Sequence, residues 1–257
     1  MTGFSVTTCI TPPQPVPDYV AMYEPEAAIE PEVAEPEKPE EADCGANTEP
    51  EVNTKPRVAL TFDDGPSPYT DRILDLLERY GGRATFFVLG RNVEFWQNTI
   101  IRTVSIGSEV ANHTWTHPEL PSLNNQRIKE ELQTTSEIIE RFAGYSPRFF
   151  RPPFGMVTQR VATVSKELGY AIVNWTLDTK DWQVRNADAV YNAIMDAIEE
   201  NAIVLMHDIH STTAAAMERV IPALIADGFQ LVTVSELLHY LHGEPEPGKV
   251  YGFPGIR

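Results

Sequence analysis

Two adjacent carboxylates, Asp63 and Asp64, stand where an apolar segment meets a turn. Residues 57–62 carry alternating and β-branched apolar side chains, which predict a short strand, and Gly65-Pro66 directly after the carboxylates predicts a sharp turn. Because side chains alternate between the two faces of a strand, the turn is needed to bring both carboxylates to one site. The pair indicates either a functional site or a solvated Asp-Gly turn, and the rest of the chain decides between them.

His113 and His117 are four residues apart, a spacing that places two imidazoles on the same side of one helical turn. Such a pair can share a metal ion or can simply lie on a helix surface. A carboxylate from Asp64 would complete a set of two histidines and one carboxylate, which suits zinc or cobalt. This set leaves coordination positions open for water and substrate, so it favours a catalytic site over a structural one.

Strand-like and helix-like segments alternate along the chain around these residues. Residues 84–89 and 202–206 are apolar runs typical of buried strands, whereas 69–80 and 125–142 carry apolar residues at helical spacing. Alternation of this kind predicts a largely parallel sheet wrapped by helices. We therefore predict an α/β fold, a distorted (β/α) barrel with about seven mostly parallel strands.

Groups capable of chemistry follow five of the predicted strands. They are Asp63-Asp64, His113 to His117, Arg151 to Gly155, Asp178 to Trp182, and His207-Asp208. In a barrel of parallel strands these strand ends meet at one face, so we expect the five segments to converge on one site.

The motifs TFDDG, HTWTH, RPPFG, DTKDW and LMHD, in this order, resemble the five motifs of the polysaccharide deacetylases, carbohydrate esterase family four. The resemblance covers residues 56–240. It implies a distorted β/α barrel and the metal-dependent removal of acetyl groups from sugars. It also implies that Asp64, His113 and His117 bind one divalent metal ion, with zinc or cobalt expected.

The same resemblance implies roles for the other polar groups. Asp63 matches the general base, and Arg151 matches the arginine that orients this base and keeps it ionised, although Arg151 could instead anchor a loop through an ion pair. His207 matches the general acid that protonates the leaving amine. Asp181 matches the carboxylate that pairs with His207, orients its ring and raises its pKa.

Three further residues match the substrate pocket. The backbone N–H of Phe154 corresponds to a group that holds the oxyanion, and Trp182 and Leu205 correspond to apolar walls around the acetyl group. Ordinary core packing is the alternative for both walls. We interpret Asp178 and Asp208 as structural carboxylates, and Trp175 as a core residue. Three histidines outside the motifs are expected on the surface: His210, His239 and His242.

The 257-residue chain has a net charge of −17, and the charge is concentrated at one end. Residues 1–54 hold 12 acidic residues and one basic residue, and they are rich in Pro, Glu and Ala. Such a segment has too few large apolar residues to form a core, so we predict a disordered Pro/Glu-rich spacer over 1–55. A catalytic domain over 56–242 and a C-terminal tail over 243–257 follow. The acidic balance argues against nucleic acid and anionic membranes as partners.

The sequence contains neither an apolar run long enough to span a membrane nor a complete signal peptide. Both cysteines, Cys9 and Cys44, lie in the predicted spacer, where a lipid anchor at Cys9, a disulfide and two free thiols all remain open. We expect a monomeric protein outside the cell or at its surface, with an export signal absent from this sequence. Membrane attachment is expected only through a missing N-terminal anchor.

The substrate predicted from these features is an N-acetylated polysaccharide, with the N-acetylglucosamine units of peptidoglycan foremost. Chitin, chitooligosaccharides and acetylxylan would need the same motifs and remain alternatives. A non-catalytic glycan-binding module is an alternative of a different class. The complete set of matching catalytic residues argues against it.

Overall fold

The computed structural model describes residues 55–253 and residue 255. The predicted spacer over 1–55, with Cys9 and Cys44, therefore lies almost entirely outside the described residues. Between residues 55 and 253, no helix combines the length and the apolar character that crossing a membrane requires.

One sheet of nine strands forms the centre of the described part of the chain. The strands are β1 (Arg57–Asp63), β2 (Thr85–Val88), β3 (Glu109–Asn112), β4 (Phe149–Phe150), β5 (Ala171–Val173), β6 (Leu177–Asp178), β7 (Ala202–His207), β8 (Gln230–Leu231) and β9 (Val250–Tyr251). They lie in the order β6-β7-β1-β2-β3-β4-β5-β9, with β8 beside β1, and paired strands run parallel.

The predicted α/β barrel class is confirmed, although the sheet has more strands than the predicted number of about seven. The sequence pattern misses β6 and β9. Each of these strands has only two residues, and two residues carry no periodicity that could be recognised.

Helices cover the outside of the sheet. They are α1 (Thr70–Tyr80), α2 (Gly90–Val93), α3 (Gln97–Ser105), α4 (Asn125–Ala143), α5 (Gln159–Glu167), α6 (Asp181–Val184), α7 (Ala187–Met195), α8 (Ser211–Ala226) and α9 (Val234–His242). The long helix α4 starts where the Asn124 side chain accepts a hydrogen bond from the Arg127 N–H, and it ends at Gly144 in the left-handed conformation.

The alternation of side chains along β1 divides the core into an outer and an inner part. Leu60 and Phe62 pack in an apolar cluster with residues of α1 and α8, whereas Ala59 packs in a second cluster with Phe87 of β2. All of these side chains are buried, and burial of a leucine or phenylalanine contributes roughly 1.5–3 kcal/mol. Asp63 follows Ala59 at an interval of four residues, so the strand period places it on the inner face.

The C-terminal strand β9 extends the sheet beyond β5, so part of the segment predicted as a tail belongs to the sheet. The N–H of Asn174 donates to the carbonyl of Tyr251 at 2.8 Å, and the N–H of Phe253 donates to the carbonyl of Trp175 at 2.7 Å. Gly252 lies between these two bonds with φ +85°. A Cβ atom at Gly252 would lie 2.8–2.9 Å from backbone atoms of Asn174 and Trp175, which is too close for any side chain.

We predict that Gly252→Ala separates β9 from β5 and lowers the free energy of unfolding by about 1–3 kcal/mol, because the substitution adds both a backbone clash and an unfavourable φ. Denaturant unfolding measures the loss, and hydrogen exchange at the Asn174 amide should become faster. Gly255→Ala is the matched control, since a Cβ atom there meets nothing within 4 Å. Parental stability and slow exchange in Gly252→Ala would contradict the prediction.

Candidate active site

A cavity of about 450 Å³ opens at the carboxyl ends of β1, β3 and β7. Eight of the ten predicted site residues line this cavity, and the other two, Arg151 and Asp181, are fully buried. The convergence expected from the strand ends is therefore observed.

Asp64, His113 and His117 point ligand atoms at a common position. Oδ1 of Asp64 lies 3.5 Å from Nε2 of His113 and 3.4 Å from Nε2 of His117. These separations are long for hydrogen bonds, but two ligands of one tetrahedral zinc ion lie about 3.4 Å apart. Oδ1 of Asp64 is also buried without a hydrogen-bond partner in the described part of the chain, which is costly unless a cation is bound. The three residues therefore fit a divalent metal ion.

The loop that carries the two histidines is not helical, so the prediction that they share a helical turn is wrong. Residues 113–117 follow β3 as a loop in which Thr114 has φ 71° and His117 has φ 63°. The N–H of His117 donates to the Thr114 hydroxyl at 3.1 Å. These left-handed residues, rather than helical spacing, bring both imidazoles beside Asp64.

Glu131 of α4 holds this loop, and the sequence analysis missed it. Oε2 accepts the N–H groups of Trp115 and Thr116 at 2.8 Å each, and Oε1 accepts the Thr116 hydroxyl at 2.8 Å. Glu131 is only 7% exposed and lies on the buried face of α4 with Ile128 and Leu132. A carboxylate within an otherwise apolar helical stripe is the signal that could have identified it.

A hydrogen bond at Nδ1 sets the orientation of the His113 ring. Its Nδ1 lies 2.8 Å from the carbonyl oxygen of Arg151. Because a carbonyl only accepts, Nδ1 carries the hydrogen, and the lone pair of Nε2 faces Asp64. Metal-binding histidines are commonly oriented in this way.

The Arg151 guanidinium is fully buried and makes four hydrogen bonds. Nη1 donates to Oδ1 of Asp63 at 2.7 Å and to the Thr61 hydroxyl at 2.8 Å. Nε and Nη2 donate to the carbonyls of Val173 and Asn174, each at 3.0 Å. Burial lowers the pKa of Arg151, and the charge of Asp63 opposes this effect. One oxygen of Asp63 is thus occupied, while Oδ2 lies 3.7 Å from Nε2 of His113.

His207 is paired with Asp181 on the opposite side of the cavity. Nδ1 of His207 lies 2.8 Å from Oδ1 of Asp181, and Oδ2 of Asp181 accepts the N–H of His207 and the Thr213 hydroxyl. Burial alone would lower the pKa of His207, but the hydrogen bond and charge of Asp181 outweigh burial and raise this pKa to about 9. The imidazole is therefore protonated at neutral pH.

The three predicted substrate-binding residues form part of the cavity wall. Phe154 has φ 60° and places its ring 4.7 Å from the ring of His117. Phe154 and Trp182 are 58% and 48% exposed, so both can contact a ligand, whereas Leu205 is buried at the cavity floor.

One prediction about residues outside the motifs is wrong. His210 is 7% exposed and lines the cavity, where Arg185 contacts its Nδ1, so it is not a surface group. Trp175 packs against the inner apolar cluster, as predicted, and its half-buried side chain also lines the cavity. His239 and His242 are exposed, as predicted.

The two carboxylates interpreted as structural differ in position. Asp178 lines the cavity and is half-buried. Asp208 is fully buried against Gly65, accepts a hydrogen bond from the Thr70 hydroxyl, and has its pKa raised to about 7 by burial. A Cβ atom on Gly65 would overlap the Asp208 carboxylate, so this glycine is needed for the close approach of the Asp63-Asp64 turn.

Comparison with known proteins gives consistent matches. The polysaccharide deacetylase family model matches residues 51–173. The peptidoglycan-N-acetylglucosamine deacetylase PgdA of Listeria monocytogenes is 40% identical over 189 residues, which is 73% of this chain and 40% of that protein. This chain thus spans well under half the length of that relative.

Two further relatives are covered almost completely. A chitooligosaccharide deacetylase of Bradyrhizobium is 37% identical over 70% of this chain and 90% of its own length. A family 4 acetyl xylan esterase from Clostridium thermocellum, solved in complex with a cobalt ion, has a TM-score of 0.70 and 31% identity, covering 77% of this chain and 98% of that chain. Their identity and coverage, together with the cavity geometry, show that the chain belongs to the polysaccharide deacetylase family, carbohydrate esterase family four.

Proposed function

We propose that this chain is a metal-dependent hydrolase that removes N-acetyl groups from N-acetylglucosamine units of peptidoglycan. The main support for the proposal is that the two adjacent carboxylates, Asp63 and Asp64, have different partners. Asp64 belongs to the group of three ligand atoms, whereas Asp63 is held by Arg151 with its second oxygen beside the same group.

Asp64, His113 and His117 would hold one divalent ion, with zinc or cobalt proposed from the nitrogen and oxygen ligands. When bound, the ion would supply Lewis-acid polarisation of the acetyl carbonyl and of the attacking water. Burial opposes ionisation of Asp64, but the neighbouring His113 and His117 outweigh it and lower the pKa of this carboxyl. Asp64 is therefore ionised at neutral pH, as a ligand must be.

Asp63 would act as the general base. Its Oδ2 takes a proton from the water that attacks the acetyl carbon, while Arg151 holds Oδ1 in place. The backbone N–H of Phe154 would donate to the oxyanion that forms on the acetyl oxygen, and Pro152 and Pro153 restrict the loop that positions it.

His207 would act as the general acid. Asp181 holds Nδ1–H, so Nε2 is the nitrogen free to donate a proton to the sugar nitrogen as the carbon–nitrogen bond breaks. The products are acetate and a sugar with a free amine. Trp182 and Leu205 would enclose the acetyl methyl group and exclude water from it.

Peptidoglycan is proposed as the substrate because the relatives at 40% identity include a peptidoglycan-N-acetylglucosamine deacetylase. The same relative supports the cell wall as the proposed site of action. The chitooligosaccharide deacetylase at 37% identity makes chitooligosaccharides the second candidate.

Acetate release tests the proposal directly. The protein is stripped with a chelator, reloaded with zinc or cobalt, and given peptidoglycan, chitooligosaccharides and acetylxylan side by side. We expect release that depends on the added metal and is fastest on peptidoglycan. Asp63→Asn should lower kcat by about 10³-fold because it removes the base and should keep stoichiometric metal, whereas His117→Ala should lower metal occupancy.

Each outcome separates one assignment from the others. Normal turnover by Asp63→Asn would refute the base, and full metal occupancy in His117→Ala would remove that residue from the ligand set. A metal-loaded protein that binds all three glycans without releasing acetate would be a binding module.

We predict that Glu131→Ala weakens zinc binding at least tenfold, because removing this support of the metal loop lets the loop leave its strained conformation. Glu131→Gln keeps an oxygen that can accept both backbone N–H groups and should retain most of the affinity. Competition with a chromophoric chelator measures both values. Equal affinities in the parent and in Glu131→Ala would show that the loop needs no such support.

We predict that the His207 ring titrates near pH 9 in the metal-free protein. Asp181→Asn should lower this pKa, because the hydrogen bond and the charge of Asp181 are lost while burial still favours the neutral ring and only the charges of Asp63 and Asp64 oppose it. Nuclear magnetic resonance of the imidazole protons follows the titration. In the metal-loaded enzyme, Asp181→Asn should shift the loss of activity at high pH to lower pH. An unchanged His207 titration would refute the pairing.

A further inference from the structure

Arg185 places a guanidinium on the wall of the cavity beside the proposed acid. It follows α6 directly and adopts φ 46°, a left-handed conformation that is unfavourable for arginine. Its Nε donates to the carbonyl of Trp182 at 2.8 Å, and its Nη1 contacts Nδ1 of His210. The backbone conformation and the two contacts hold the guanidinium in one place.

These contacts leave the charge of Arg185 without a counter-ion. No carboxylate lies within 4.0 Å of Arg185 among residues 55–253, whereas other exposed arginines in this range, such as Arg72 and Arg219, are ion-paired. Only two of its N–H donors are used by described residues. The remaining donors, including those on Nη2, are available to a ligand.

The other charges of the cavity wall already have partners. Asp63 is paired with Arg151 and His207 with Asp181, while Asp64 belongs to the proposed metal ligands. Asp178 accepts the N–H of Lys180. Among the described residues of the cavity wall, Arg185 is therefore the cation that is available to bind a ligand.

His210 adds a second donor to this part of the wall. Because arginine only donates, Nδ1 of His210 must accept, and the hydrogen of the neutral ring is on Nε2. Burial and the charge of Arg185 both lower the pKa of His210, which keeps the ring neutral. The ring centroids of His207 and His210 are 5.9 Å apart. His210 therefore contacts Arg185 and also lies close to the ring of the proposed acid, His207.

A planar guanidinium with free donors binds carboxylates through paired hydrogen bonds. Chitooligosaccharides carry no such group beside the acetylated sugar. In peptidoglycan, the sugar that alternates with N-acetylglucosamine carries a lactyl group, which is a carboxylate when free and bears a peptide with its own carboxylates when substituted. A carboxylate next to the reacting sugar is thus a feature by which the cavity could distinguish these glycans.

We propose that Arg185 binds a carboxylate on the sugar adjacent to the one that is deacetylated, and that it thereby selects acidic glycans over neutral ones. The inference rests on the proposed deacetylation at this site. It assigns Arg185 to substrate selection and leaves the proton transfers to Asp63 and His207.

Binding to the full chain in an Asp63→Asn background tests the inference without turnover. The probes are a tetrasaccharide of alternating N-acetylglucosamine and N-acetylmuramic acid, its form with lactyl amides, and its form with short peptides on the lactyl groups. We expect the free acid to bind about tenfold more tightly than the amide, and Arg185→Gln to remove this difference by weakening the acid alone. If the peptide form also loses affinity in Arg185→Gln, the bound carboxylate can belong to the peptide.

Two variants serve as controls. Arg185→Lys keeps the charge but not the paired donors and should retain part of the preference. Arg127→Gln removes an equal charge from an exposed ion pair with Glu130 on α4 and should leave the preference intact.

The outcomes separate this inference from the proposed function. Equal loss of affinity for acid and amide in Arg185→Gln would mean that Arg185 only supports His210 and Trp182, and would overturn the inference. Equal binding of acid and amide by the parent would overturn it as well. Absence of acetate release from every glycan by the metal-loaded parent would instead refute the proposed function, while a carboxylate preference in binding would still stand.

Discussion

The buried ion pair of Arg151 and Asp63 is the interaction on which the rest of the site depends. A fully buried guanidinium is costly by several kcal/mol unless its charge and its donors are satisfied. Here every nitrogen donates, to side chains of β1 and to carbonyl oxygens at the end of β5. The pair can form only when these two strands are correctly placed, so it couples the closure of the sheet to the position of the proposed base.

The same residue also reaches the proposed metal centre. The carbonyl of Arg151 accepts from Nδ1 of His113 and thereby orients this ligand. Strand β9 contributes from the other side, because its pairing with Asn174 holds the segment whose carbonyl receives Nη2 of Arg151. The two-residue strand β9 is thus connected to the proposed base through three successive hydrogen bonds, between Tyr251 and Asn174, between Asn174 and Arg151, and between Arg151 and Asp63.

The three parts of the site are supported by different elements. Glu131 of α4 holds the loop of the proposed metal ligands, Arg151 of the β4 loop holds the proposed base, and Thr213 of α8 helps to hold Asp181. Several residues at the strand ends have positive φ, among them Asp64, Thr114, His117 and Phe154. Such conformations persist only where the surrounding structure holds them in place. In this chain the hydrogen bonds of the buried carboxylates and of the Arg151 guanidinium do so.

The residues proposed to select the glycan are separate from those proposed to carry out the chemistry. The proposed base is held by Arg151 and the proposed acid by Asp181. The remaining donors of Arg185 and the exposed faces of Phe154 and Trp182 are instead available at the cavity wall.

The sequence by itself determined the fold class, seven of the strands and the ten candidate site residues, because long apolar periods and the five motifs are local properties. It could not determine the short strands β6 and β9, which exist only through pairing with distant neighbours. The helical interpretation of His113 and His117 failed for a related reason, since left-handed residues supported by Glu131 replace the helical turn. Glu131, His210 and Arg185 acquire their roles from contacts with residues far away in the chain. Only the tertiary structure brings those partners within hydrogen-bond distance, and distance decides what a polar side chain can do.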